Sequence, residues 1–319
     1  MTENVGALEC RVAHMCRYGR AERVSWAGTS RSDPEGRAVA PLSSLDQMDA
    51  ERGNSSPQHS EADEYWLRLL TGEDAIAGGA KRLFRKIPSA PRCKLCYAPF
   101  AGPYVPILKM LGFRRWSLNQ QLCRRCMRDL DKHRGGAEVP VSLLYTDVQG
   151  STTLAEQLTP AEFTSALNRF FAVAFAAVDA EFGVIDHIVG DGVMALWVPG
   201  FVGDDHPQRA VTAGRRLAAD LISTRGLGDT FPAGVGVHTG LAYVGGVGEI
   251  GSLDFTVLGD APNTVARLGS AVSSGELAMS DDIVAAAEVD TSGLDRRVLE
   301  LKGKAEPFNA WIEKAANTR

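Results

Sequence analysis

Two acidic residues stand where metal chemistry is possible. Asp147 closes an apolar β-rich run, PVSLLYTDV, and Asp191 sits between Gly190 and Gly192 in HIVGDGVMALW. Carboxylates at the ends of neighbouring strands present hard oxygen ligands to one pocket. Such ligands suit Mg²⁺ or Mn²⁺, which also take phosphate oxygens and water. The flanking glycines would let a polyphosphate approach the backbone. A plain turn aspartate is the competing reading of Asp191, because Asp-Gly is common in hairpin turns. A second constellation is Cys93-x-x-Cys96 with Cys123-x-x-Cys126. Each CxxC aims two sulfurs at one point, and two such knuckles complete a tetrahedral S₄ site. Zn²⁺ is favoured there, with iron or an iron–sulfur cluster open on spacing alone.

The elements that must position these groups can be read along the chain. Residues 1–60 are polar and aperiodic and are expected to be a disordered tail carrying Cys10 and Cys16 as unpaired thiols. EADEYWLRLL reads as a short helix, and residues 61–135 read as a basic four-cysteine metal-binding module that needs its metal to fold. Between Lys81 and Arg134 there are fourteen Lys or Arg against two Asp, a local charge of +12 in a chain of net −5. Nucleic-acid binding is thus possible for this module, but docking on the acidic remainder of the chain to report redox or metal status, or a dimerisation or spacer role, is favoured. After residue 139, Thr159-Pro160-Ala161-Glu162 predicts a capped helix running to about Glu181. VIDHIV and VMALWV predict a hairpin, and the first strand is expected beside the strand that enters it. A helix is expected from His206 to about Ser223, a glycine-punctuated strand pair in GVGVHTGLAYVGGVG, and a helix from Pro262 to about Ser273. Strands in DFTVLG, GELAMS, RRVLELKG and FNAWIE complete the set. This order predicts an α+β ferredoxin-like (βαββαβ) domain over residues 139–315, with helices on one face of a mixed sheet.

Composition is that of a globular chain, 45% apolar and 23% charged in 319 residues. No apolar run reaches the ~18 residues of a membrane span. The N-terminus shows no secretory stretch and the cysteines are paired as CxxC, so a reducing, cytoplasmic setting is expected.

YTDVQGSTTL, HIVGDGVMALW and DFTVLGDAPNTVARL, in that order, resemble the class III nucleotidyl cyclase catalytic domain. The resemblance implies that Asp147 and Asp191 hold two divalent ions, Mg²⁺ or Mn²⁺. One would activate the ribose 3′-hydroxyl for attack on the α-phosphorus, and the other would steady the triphosphate until pyrophosphate leaves. It implies that Gly150 and Ser151 lie near phosphate, and that Asn263 orients the ribose. Arg267 would neutralise charge growing at the α-phosphate. Lys302 or Lys304 would bind the terminal phosphates. It also implies a homodimer, with the aspartates of one chain facing the Asn-Arg pair of the other. Two positions would read the base. His187 stands where the family usually has lysine, and Thr256 suits an adenylyl enzyme. ATP is therefore favoured as substrate and cyclic AMP as product. Histidine can also serve guanine, so a guanylyl cyclase remains open. So does a degenerate domain that binds nucleotide and signals without turnover.

Overall fold

A computed structural model describes residues 61–73, 81–87, 89–117, 119–224, 231–247, 254–299 and 307–315. The tail with Cys10 and Cys16, and the late lysines Lys302 and Lys304, lie outside the described residues.

The chain enters through α1 (Glu61–Thr71) and, after the first cysteine knuckle, α2 (Val105–Met110) and α3 (Arg124–Lys132). The sheet domain follows as β1 (Gly136–Val148), α4 (Ser151–Gln157), α5 (Pro160–Ala180), β2 (Val184–Val189), β3 (Gly192–Trp197), α6 (Pro199–Val202) and α7 (His206–Ser223). Then come β4 (Ala233–Val247), β5 (Asp254–Leu258), α8 (Asp260–Ser270), β6 (Glu276–Ser280), α9 (Asp281–Ala286), β7 (Asp295–Leu299) and β8 (Phe308–Lys314). The strand order is β2-β3-β1-β4-β6-β8-β7, with β5 paired to β4. Only β4 and β6 run parallel among these pairs. The α+β ferredoxin-like core is thus present, and the capping box predicted at Thr159 and Glu162 opens α5.

Three expectations are corrected. β1 lies beside β3, the strand that leaves the hairpin, with Asp147 opposite Gly192. The α5 crossover carries the chain to the outside position, and the hairpin then inserts β3 between β2 and β1. The predicted strand pair in GVGVHTGLAYVGGVG is one 15-residue strand, β4. Its glycines do not turn the chain, since none of them has a left-handed φ. They serve close packing instead. A Cβ on Gly236 would lie 2.4 Å from the Gly269 amide nitrogen, and one on Gly269 would lie 2.8 Å from the Tyr145 carbonyl oxygen. These bare positions let α8 lie directly on β1 and β4. Finally, the helices cover both faces. Gly214 of α7 meets Val237, whereas α8 meets Gly236. Adjacent strand residues point to opposite faces, so α7 and α8 pack on opposite sides of the sheet.

Under α7, Trp197, Leu217, Leu221, Val235 and Val237 are closed off from solvent. His206, at the start of α7, is buried there with its Nδ1 2.8 Å from the Ser142 hydroxyl. Burial pushes its pKa down from 6.5 to about 4. A depressed histidine pKa has no effect above the unfolded value of 6.5, where both states are neutral, and costs stability as pH falls from 6.5 toward 4 and only the unfolded state takes up the proton. The loss should reach on the order of 2 kcal/mol. Thermal unfolding followed from pH 7.5 to 4.5 should therefore show a shallower acid slope for His206→Gln than for the parent protein.

Candidate active site and cysteine centre

The turn between β2 and β3 is two residues long, and Gly190 takes a φ of 60°. A left-handed residue at the first central position alone is the type II′ pattern that matches strand twist. It places Asp191 next to the end of β1. Asp147 and Asp191 come within hydrogen-bonding reach, and the Asp147 carboxyl is pushed up to about 6 by burial and by Asp191. The Tyr145 phenol beside them is pushed up to about 12 by burial and then by the same two carboxylates. One oxygen of Asp191, Oδ2, is buried with no hydrogen-bond partner among the described residues. The protein concentrates negative charge here and leaves it unanswered. That donor set fits divalent cations: all ligands are hard oxygens, and a cation would reverse both shifts.

Gly150, at a φ of 67°, caps α4, and Ser151 is the first residue of that helix, directly after the β1 end. On α8, Asn263 is exposed and its Nδ2 donates to the Gly259 carbonyl at 2.9 Å. Arg267, one turn later and half-buried, makes no ion pair among the described residues. Asp147 pairs in register with Gly234, a residue that α8 covers, so the carboxylates and α8 share one sheet face. No hydrogen bond or ion pair among the described residues joins the two groups.

His187 and Thr256 are brought together although they lie on β2 and β5. Both reach one buried carboxylate oxygen, Oδ2 of Asp186. His187 Nδ1 lies 2.6 Å from it, and the Thr256 hydroxyl donates to it at 3.4 Å.

In the cysteine centre all four sulfurs are buried and lie within 4.8 Å of one another. The Cys93–Cys126 and Cys96–Cys123 separations are 3.9 and 3.7 Å. A tetrahedron with metal–sulfur bonds of about 2.3 Å has sulfur–sulfur edges of about 3.8 Å. No disulfide joins these residues. Cys123 caps α3, its sulfur accepting the Cys126 amide at 3.4 Å, while Cys93 accepts the Cys123 amide at 3.3 Å. Hydrogen bonds from the other three sulfurs hold the Cys123 thiol far below the ordinary thiol range. Their counterparts push Cys96 and Cys126 up.

Residues 137–314 match the adenylate and guanylate cyclase catalytic domain family. The chain belongs to the class III nucleotidyl cyclases. The catalytic domain resembles that of the guanylyl cyclase Cya2, at 26% identity and a TM-score of 0.52 over 58% of this chain and 96% of that one. Its fold also matches the adenylyl cyclase CyaB from P. aeruginosa, at 23% identity and a TM-score of 0.50, over 57% and 97% of the two chains. Among curated relatives, an uncharacterized protein of Mycobacterium tuberculosis, Rv1319c, is 31% identical over 178 residues. That stretch is 54% of this chain and 32% of the relative, so the chain spans about a third of the length of the relative it matches.

The cyclase domain does not stand apart from the cysteine segment. Trp66 of α1 is fully buried and stacks on Phe255 of β5, with ring centroids 6.1 Å apart. Tyr97 stacks on Phe182 and donates to the Phe201 carbonyl at 3.0 Å. Lys94, buried, pairs with Asp179 of α5 at 2.5 Å. Most specific is Gln121, two residues before Cys123. Its side-chain amide donates to the Ile185 carbonyl at 2.8 Å, and its oxygen accepts the Ile185 amide at 2.8 Å. This bracket occupies the free edge of β2, immediately before Asp186. Neither Gln121 nor Asp186 was singled out by sequence reading. The sequence signal for Asp186 was its place beside His187; for Gln121 there was none.

Proposed function

We propose that this cyclase converts ATP to 3′,5′-cyclic AMP and pyrophosphate at sites shared between two copies of the chain. The observation that carries the reading is the Asp147–Asp191 pair with its unanswered buried oxygen. In this reading the two carboxylates hold the divalent ions, Mg²⁺ or Mn²⁺, which supply the charge that activates the 3′-hydroxyl and steadies the triphosphate. Asn263 orients the ribose. Arg267 meets the charge that develops at the α-phosphate, worth several kcal/mol when preorganised (~10²–10³-fold per donor). The amides at Gly150 and Ser151 lie at a helix start, where anions are favoured, and Lys302 or Lys304 completes the phosphate site. His187 and Thr256 face the base.

Two features support a homodimer. Leu241, Tyr243, Val247 and Leu258 leave large apolar side chains exposed along β4 and β5, with Val189 at the hairpin. In addition, a cleft of about 570 Å³ lined by His206, His238, Thr239 and Thr264 contains none of Asp147, Asp191, His187, Asn263 or Arg267. A site built from two chains accords with a cleft in one chain that holds none of these groups. GTP is the second reading, left open by the missing lysine at His187 and supported by the likeness to the guanylyl cyclase Cya2.

The domain division follows the same reading: a catalytic domain over 139–315, a basic metal-binding module over 61–135, and a tail over 1–60. The module holds one ion, Zn²⁺ by preference. A cluster is disfavoured, because its four thiolates are spread over two or four irons, and sulfurs on different irons stand farther apart than the 4.8 Å that spans all four here. The charge of the module is partly spent on the cyclase domain through Lys94, which favours docking over nucleic-acid binding. No described helix is long and apolar enough to cross a membrane, and a cytoplasmic location is proposed from the thiolate centre.

The test is product analysis with ATP and GTP in separate reactions with Mn²⁺, followed by subunit mixing. Asp147→Ala and Arg267→Ala should each be inactive, and their mixture should regain about a quarter of parent activity, since half the dimers are mixed and each has one intact site. No regain with mixed dimers present would exclude the shared site. Nucleotide binding without any cyclic product would exclude the enzyme.

A further inference from the structure

We propose that Asp186 is a positioning residue that joins His187 and Thr256 into one adenine-selecting unit; this rests on the cyclase reading above. β2 carries a bulge here. Ile185 pairs with Ala195 and His187 with Met194, which leaves Asp186 as the extra residue. A bulge re-aims one side chain out of the alternation, and here the re-aimed side chain is a carboxylate with no solvent exposure. Burying a carboxylate is costly unless its partners compensate. The partners of Asp186 are the two residues at the base-reading positions, and Thr256 comes from 70 residues away in sequence. Its other oxygen, Oδ1, has no partner among the described residues, so the group is held by these two contacts and not by a general polar network.

The contacts dictate what each partner can offer a base. The carboxylate accepts from His187 Nδ1–H, which sets the ring orientation and the position of that proton. In the imidazolium form, beside the carboxylate charge, the ring restores the cation and donor that a lysine supplies. Thr256 spends its hydroxyl proton on Asp186, so its oxygen is an acceptor toward a ligand. An acceptor beside a cationic donor complements adenine, whose N6 amino group donates and whose N1 accepts. Guanine presents the reverse pattern, O6 accepting and N1–H donating. The bulge carboxylate thus answers the missing lysine.

The test is Asp186→Asn in the full-length protein, which keeps the shape and removes the charge. KM for ATP should rise about tenfold and kcat should change less than about threefold, the size expected for losing a charge-assisted hydrogen bond acting on binding. The ATP-over-GTP preference in kcat/KM should fall by a similar factor. In a His187→Lys background, where no ring needs orienting, Asp186→Asn should shift KM less than about threefold. A folded Asp186→Asn protein with unchanged KM and preference would overturn the inference. So would equal effects in both backgrounds accompanied by a lower Tm, which is what a merely structural role predicts. If Asp186→Asn fails to fold, Thr256→Val removes one of the two hydrogen bonds, and an unchanged preference in that variant overturns the inference as well. Dissociation constants for ATP and GTP are measured alongside. A parent protein that binds both and turns over neither removes the cyclase reading, while the ratio of the two constants still decides the role of Asp186.

Discussion

Asp147→Ala is expected to abolish cyclic-nucleotide formation, with kcat/KM falling at least ~10³-fold, while the protein stays folded. The size follows from what the carboxylate does. In-line phosphoryl chemistry leaves little for the protein beyond positioning and charge stabilisation, so removing a metal ligand removes most of the catalytic effect. The fold should survive because Asp147 is not a stabilising group in the metal-free protein. Its pKa is raised to about 6 by burial and by Asp191. A raised carboxyl pKa means that the ionised form is disfavoured in the fold, so above about pH 6 the pair opposes folding, and the opposition fades as pH falls. Asp147→Ala should therefore raise Tm at pH 7.5 in the presence of chelator. The parent protein should gain Tm on addition of Mn²⁺ by mass action, and the variant should not. A variant that melts lower without metal, or that keeps the Mn²⁺-dependent gain, would show that this pair is a structural cluster and not a metal site.

Cys96→Ser is expected to release one metal ion per chain, lower Tm by more than ~10 °C and reduce cyclase activity more than tenfold. Four buried sulfurs at tetrahedral spacing have no stable alternative once the ion is gone: as thiolates they repel, and as thiols they bury weak donors without good acceptors. The effect should not stop at the module. Leu95, Leu108, Leu122 and Leu130 belong to the same apolar core as Phe255 and Phe201 of the cyclase domain. Gln121, whose position depends on the knuckle at Cys123, holds both backbone groups of Ile185 at the edge of β2. Loss of the module frees that edge directly before the bulge. Metal content per chain, Tm and activity should fall together in Cys96→Ser. Gln121→Ala separates the two levels: it should keep the metal and most of Tm while KM for nucleotide rises. Full metal loss with unchanged activity would show that the module is a passive appendage.

The sequence by itself determined the parts whose chemistry is local. The two CxxC pairs announced a four-sulfur centre because a knuckle is made within four residues. Thr159, Pro160 and Glu162 announced the start of α5 because a capping box is closed within one turn, and it is closed there. Gly190-Asp191-Gly192 announced a hairpin for the same reason, and three short motifs in order were enough to indicate the family. What only the tertiary structure decided were the relations between distant segments. Sequence placed β1 beside β2, whereas the crossover and the inserted hairpin put β3 there. Sequence read the glycines of β4 as turns, whereas Gly236 is bare because α8 lies on it. In the sequence, Asp186 is marked only by its place beside His187. A one-residue bulge turned it inward to Thr256, 70 residues on, and Gln121 met that strand from 64 residues before. Such pairings leave no periodic mark. Their energy comes from burial and hydrogen bonds that exist only once the sheet has closed, so a local reading contains no term for them.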